Sequence, residues 1–200
     1  MTRVPRGEAR ARILAAAVDM IRRRGFAAMS VDDLCAAAGV TKGAFFHHFA
    51  GKDALGVAVV DHWTDITGAM FASHPYHAAA DPLDRVFAYL DLRRSLLAGE
   101  IAAISCVAGT AVQETFASHP AIRDAAGVSI RSGMAHVERH LAEALAAHPV
   151  PGVTADSLAR LVQVAVQGGI LLAKAHDDPA PAREALDHLE RYLRLLFGRA

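Results

Sequence analysis

The chain of 200 residues is long enough for one large domain, or for a small domain joined to a larger one. Its hydrophobic share, 53%, is rich in alanine and poor in aromatic rings, which suits packed helices and excludes a sheet-dominated fold. Net charge is zero, yet nine cations face four anions up to Lys52 and the remainder is acidic, so only the first quarter suits a polyanion unless its arginines merely solvate helix faces.

The opening residues, MTRVPRGEARAR, are basic and lack an apolar run, so no signal peptide is expected. A first helix is predicted from Glu8 to Arg24, with Ile13, Leu14, Ala17, Val18, Met20 and Ile21 forming its apolar stripe. Gly25 follows where a helix-ending glycine belongs, behind three arginines that suit the carbonyl end of the dipole. Phe26 reads as a core anchor. Ser30 is a good N-cap for a short second helix whose apolar face is Val31, Leu34, Cys35 and Ala38, ended by Gly39. Thr41 caps a third short helix to about Phe49, and after a break at Ala50–Gly51 a longer helix starts at Lys52 and runs into the seventies. Helix, short helix, glycine-containing turn, short helix is a helix-turn-helix order, in which the second short helix enters the DNA major groove.

Residues 73–82, SHPYHAAADP, read as a linker. Helices are then predicted over Pro82–Leu97, Glu100–Phe116, Pro120–Ala147, Thr154–Ala175 and from about 182 to Gly198. The most apolar stretch, Ile101 to Val112, is too short to span a bilayer, so no membrane partner is expected. Cys35 and Cys106 have no metal or redox spacing, which fits a reduced cytoplasm.

Gly25-Phe26, Ser30-Val31, Asp33-Leu34, Ala37-Ala38-Gly39-Val40, Lys42-Gly43 and Phe49 with Lys52 resemble the DNA-binding domain of TetR-type transcriptional regulators. The resemblance is close over roughly residues 8–60 and rests elsewhere on size and helical layout. It implies an all-α protein: a three-helix DNA-binding domain over 1–52, then a helical effector-binding and dimerisation domain over 53–200. It places Lys42, Gly43, Ala44 and His47 against base edges, with Gly43 allowing close approach and Ala44 suited to a thymine methyl. Ser30, Thr41, His48 and Lys52 fall where phosphate contacts are usual. Two positions depart from the family: Phe46 stands where tyrosine is common, and His48 where an aromatic ring is frequent. Phe46 keeps an apolar DNA contact without the hydroxyl. His47 and His48 point about a hundred degrees apart as helix neighbours, which speaks against a shared metal ion.

Leu186, Leu189, Leu193 and Leu196 form a leucine seam near the end of the chain, and Leu161, Ala165 and Gly168-Gly169 form a second face with small residues. The pattern alone also fits packing within one chain. The resemblance implies a homodimer through the last two helices, matching a palindromic operator on double-stranded DNA. It also implies a pocket for a small, largely hydrophobic effector in the middle helices. The candidates are Trp63, Phe71, Phe87, Tyr89, Cys106, Thr110, Gln113, Phe116, Met134 and Gln167, each of which also suits ordinary core. His136 and His140 lie one turn apart with Glu143 nearby, but an exposed polar face is the expected reading rather than a metal site. Cys106 is expected to be an inert thiol rather than a sensor.

No phosphate loop, nucleophile elbow, HExxH pair or supported Cys–His pair is present, so no enzyme and no cofactor is expected. The function implied is a ligand-responsive transcriptional repressor, released from DNA by its effector. An activator or a ligand-independent DNA-binding protein is the alternative, and a thiol- or metal-dependent enzyme a more distant one.

Overall fold

The computed structural model describes residues 6–199, and among them there is no strand. Arg3, the side chain of Arg6 and the start of the basic leader lie outside the described residues. Ten α-helices follow in order: α1 (Arg6–Arg24), α2 (Val31–Ala38), α3 (Lys42–His48), α4 (Lys52–Ser73), α5 (Pro82–Leu96), α6 (Ile101–Ile104), α7 (Val107–Thr115), α8 (Pro120–Ala147), α9 (Ala155–His176) and α10 (Ala180–Leu196), with a 3-10 turn over Pro75–Ala78.

By compactness the chain divides into two units, each built from two stretches. The first holds residues up to Ile66 together with Ser105–Ile130, and the second Thr67–Ile104 together with Arg131 onward. The division falls inside α4 and α8, each of which contributes a segment to each unit.

In the first unit, one apolar cluster joins the α1 stripe to Phe26, Met29, Leu34, Phe45 and Phe49, and extends to Val107 and Ala111 of α7 and Ile122 of α8. Burial of such side chains is the main driving force for holding these short helices, since seven or eight residues are not stable alone. In the second unit α9 and α10 pack closely: at Gly169 an added Cβ would lie 2.8 Å from the backbone of Ala182. Arg94 of α5 fixes α10 by donating to Asp187 (2.9 Å) and Glu190 (2.7 Å).

Three expectations are corrected here. The single helix predicted over Glu100–Phe116 is two, because Cys106 takes an extended conformation (φ −90°, ψ 122°) and its sulfur accepts the Gly109 N–H at 3.4 Å to cap α7. The linker at 73–82 is a packed segment: His74 caps the 3-10 turn by accepting from the Tyr76 N–H, and Tyr76 is buried. Of the leucine seam, Leu186, Leu189 and Leu193 are buried within the chain, so their apolar face is already occupied. The membrane expectation rested on Ile101–Val112, which is broken here; α9 is the described helix long and apolar enough, by length and composition, to cross a membrane.

Candidate nucleic-acid interface

Local chemistry sets the turn between α2 and α3. Ser30 is extended and its hydroxyl accepts the Asp33 N–H at 3.0 Å, starting α2. Gly39 ends that helix in the left-handed region (φ 63°, ψ 40°), where a side chain would be strained. Thr41 then starts α3 by accepting the Ala44 N–H at 3.1 Å.

The seven residues of α3 sort by face. Phe45, together with Phe49 just beyond the helix, is buried in the cluster with Ile13, Leu34 and Phe26, and the two rings are 5.6 Å apart. Lys42, Gly43, Phe46 and His47 are exposed, and their spacing puts them on one outward face; Phe46 is 57% exposed. Ala44 and His48 flank that face, half-buried. A Cβ on Gly43 would touch only its neighbour Thr41, so nothing inside the protein requires glycine there and close approach from outside is open. The His47 and His48 rings stand edge to face at 5.0 Å, and no group of three metal-ligating residues occurs among the described residues.

Electrostatics around the face are more balanced than the cation surplus suggests. Lys42 Nζ lies 2.7 Å from Asp32 of α2, and that partner raises the lysine pKa. Arg23 pairs with Asp19 and Arg24 with Asp33. Arg10 lies over the Phe49 ring at 5.8 Å. Lys52 is not a free cation: it donates to the Ala27 carbonyl at 3.0 Å and sits 4.8 Å from the centre of the Phe26 ring.

That lysine is half of a clamp sequence reading missed. The N–H of the same residue, Ala27, donates to Glu114 of α7 at 2.8 Å. Gly25 lies beneath the Glu114 carboxylate at φ 87°, leaving no room for a side chain. Phe26 is also met edge to face by His119 at 6.0 Å. Arg22 reaches Ser105, donating to its carbonyl at 3.1 Å, and stacks over Trp63 at 5.5 Å. The turn that leads into α2 and α3 is thus held by α4, α7 and the start of α8. No local sequence signal pairs Glu114 with Ala27, which lie 87 residues apart. Asp32 lies within the predicted motif, and its partner followed from the turn geometry only.

The effector candidates are divided between the two units. Trp63, Cys106, Thr110, Gln113 and Phe116 belong to the first unit, and Phe71, Phe87, Tyr89, Met134 and Gln167 to the second. Phe116 is 66% exposed, and Gln113 bonds its own helix at the Gly109 carbonyl. Phe71 and Tyr89 do meet, with rings 5.6 Å apart. The His136/His140 reading is corrected: His140 is buried and bonds His77 at 2.9 Å, while His136 packs on Phe71 at 5.4 Å. On the last helices, Leu161, Val164, Leu171 and Leu172 of α9 and Tyr192 and Leu195 of α10 are exposed; Ala165 and Leu196 are half-buried and Gly168 is open.

The sequence pattern of bacterial regulatory proteins of the tetR family matches residues 13–59, and that of the tetracyclin repressor-like C-terminal domain matches residues 82–189. An HTH-type transcriptional repressor of Mycobacterium tuberculosis is 41% identical over 81 residues, which are 40% of this chain and 43% of that protein; the chain thus matches less than half of that relative's length. An uncharacterized HTH-type transcriptional regulator of the same species is 30% identical over 196 residues, covering 94% of this chain and 93% of its own. Among solved structures, a TetR-family transcriptional regulator from Agrobacterium tumefaciens superposes with a TM-score of 0.81 at 25% identity, covering 94% of this chain and 98% of that one. Regulatory protein TetR from Rhodobacter sphaeroides gives 0.78 at 22% identity, covering 92% and 97%.

Proposed function

The chain belongs to the tetR family of bacterial regulatory proteins, and from that premise we propose that it is a cytoplasmic, ligand-responsive repressor that binds a palindromic operator as a homodimer. The observation that carries the DNA-binding role is the sorting of α3: Phe45 and Phe49 lock the helix while Lys42, Gly43, Phe46 and His47 share one uncovered face. In this reading residues 1–52 form the DNA-binding domain and 53–200 hold the effector and the partner.

Lys42 and His47 address base edges, Gly43 and Ala44 admit the groove wall, and Phe46 contributes an apolar contact. Ser30, Thr41 and His48 touch phosphates. Lys52 spends one of its three donors on Ala27 and offers the others to a phosphate. The dimer face is the exposed stripe of Leu161, Val164, Gly168, Leu171 and Leu172 with Tyr192 and Leu195, not the buried leucines. An effector acts by binding better to a conformation that does not fit the operator.

A gel-shift with the DNA upstream of its own coding sequence, against random DNA of equal length at moderate salt, tests the role. A shift confined to the upstream DNA is expected. Equal binding to both would overturn sequence-specific regulation.

A further inference from the structure

A buried polar group without a partner costs stability, so a cluster of them requires a reason. Among the described residues, three buried side-chain atoms lack a hydrogen-bond partner: Tyr76 Oη, Arg85 Nε and His140 Nδ1. They belong to one neighbourhood of the second unit. The Tyr76 and His140 rings meet edge to face at 5.7 Å. Arg85 pairs at 2.8 Å with Glu143, one turn along α8 from His140. Tyr76 is 3% exposed and His140 2%.

The hydrogen-bond network assigns the protons. His77 Nε2 donates to the Phe71 carbonyl at 3.0 Å, so the Nδ1 of neutral His77 is an acceptor. His140 Nε2 donates to that nitrogen at 2.9 Å; Arg139 approaches the same nitrogen as a second donor at 3.3 Å and lies 3.5 Å from His140 Nε2, too long to compete with the 2.9 Å bond for that position. His140 Nδ1 is therefore a bare lone pair. Burial, with Arg139 and Arg85 adding to it, lowers the His140 pKa to about 4, which keeps the ring neutral at neutral pH. The site thus offers one acceptor, His140 Nδ1, and two donors, the Tyr76 hydroxyl and Arg85 Nε–H.

Two further features define what would fit. The walls are rings: Tyr76 meets Tyr89 at 5.4 Å, and Phe71 lies between Tyr89 and His136. The surrounding charge is positive, with Arg85, Arg93 and Arg139 against Glu143; Arg93 lies over Phe71 at 4.5 Å and donates to the Tyr89 hydroxyl at 2.8 Å. A metal ion is a poor match, since guanidinium groups surround the one free imidazole nitrogen. An anion with its own O–H and a planar ring meets every requirement.

We propose that Tyr76, Arg85 and His140 form the polar end of a binding site for a small aromatic hydroxy-carboxylate. The carboxylate accepts from Tyr76 and Arg85, and the ligand hydroxyl donates to His140. This deepens, and rests on, the ligand-responsive reading above. The three atoms are sealed in the present conformation. Tyr76 and His77 both ride on the four-residue 3-10 turn, which the His77–His140 bond ties to α8. Parting that bond would let the turn carry Tyr76 away from His140, so the ligand selects a second conformation rather than filling this one.

Calorimetry and thermal denaturation of the full chain test this, with salicylate and 4-hydroxybenzoate as probes. Benzoate, lacking the hydroxyl, and 4-hydroxybenzamide, lacking the charge, are the controls. At least one hydroxybenzoate is expected to bind and raise the melting temperature, with both controls weaker by about tenfold. Tyr76→Phe is expected to hold or raise the ligand-free melting temperature, because it deletes an unpaired hydroxyl, and to weaken hydroxybenzoate binding by about tenfold. The proposal is overturned if neither hydroxybenzoate binds at millimolar concentration, or if the neutral amide binds equally well. It is also overturned if Tyr76→Phe lowers the ligand-free melting temperature, which would mean the hydroxyl is satisfied by an ordered water only. The gel-shift on the same preparation separates the two levels: an intact upstream preference beside these failures sinks the ligand assignment alone.

Discussion

Lys42 is already paired, since Asp32 holds its ammonium at 2.7 Å on an exposed surface. On the proposed reading, base recognition by Lys42 would compete with that internal partner, and Asp32 would place a negative charge beside the phosphates. Asp32→Asn is expected to strengthen binding to every DNA sequence and steepen its salt dependence by about one counterion, read by fluorescence anisotropy across a salt series. Lys42→Ala is expected to narrow the gap between upstream and random DNA instead. If both variants changed the two DNAs in the same ratio, Lys42 would not be a base reader. A second residue prediction concerns pH. His140 is held neutral by burial, flanked by Arg139, Arg85 and His77 with Glu143 opposing, so its folded pKa of about 4 lies below the ordinary histidine value. The unfolded chain binds the extra proton first as pH falls, so folding stability drops from about pH 6.5 towards 4, by up to about 3 kcal/mol. Denaturant titrations at several pH values should show that loss, and His140→Phe should flatten it.

At the scale of elements, the turn after α1 is held from outside rather than by its own sequence. Ala27 is bonded on its N–H by Glu114 and on its carbonyl by Lys52. Removing the carboxylate in Glu114→Ala should cost about 1–2 kcal/mol, seen as a lower melting temperature, while Glu114→Gln should recover most of it by keeping an acceptor. Specific DNA binding should fall more than nonspecific binding in the alanine variant, because α2 and α3 are displaced while the surface charge facing phosphates is not removed. Gly25→Ala attacks the same point from the other side. With φ at 87° and the Glu114 carboxylate overhead, a methyl group there should cost about 1–3 kcal/mol.

For the whole molecule, the decisive surface is the apolar stripe on α9 and α10. Leu195 is 72% exposed, while Leu186, Leu189 and Leu193 of the same helix are buried. A monomer would leave that stripe in water, and under the proposed dimer a second copy of the same stripe would cover it. Leu171→Glu combined with Leu195→Glu is expected to give a monomer by sedimentation, with helicity by circular dichroism unchanged. A dimer that persisted in the double variant would place the interface elsewhere. The monomer should also lose most of its affinity for a two-half-site DNA, since each half then binds alone.

The sequence by itself determined the first four helices, their caps at Ser30 and Thr41 and the helix-turn-helix order, because each depends on residues a few positions apart. Ser30, Gly39 and Thr41 announce their turns through side-chain and backbone preferences that act locally, and the spacing of Phe45 and Phe49 fixes which side of α3 faces inward. Tertiary structure decided the rest. It turned the leucine seam inward and left its neighbours exposed, a choice that heptad spacing cannot make because both faces of α10 carry leucines. It broke the helix at Cys106, and it turned residues expected to be a linker into the packed turn carrying Tyr76. It also brought Glu114 to Ala27 and His77 to His140 across 87 and 63 residues of chain. Those contacts depend on how separate helices pack, and no periodicity within either segment encodes its distant partner.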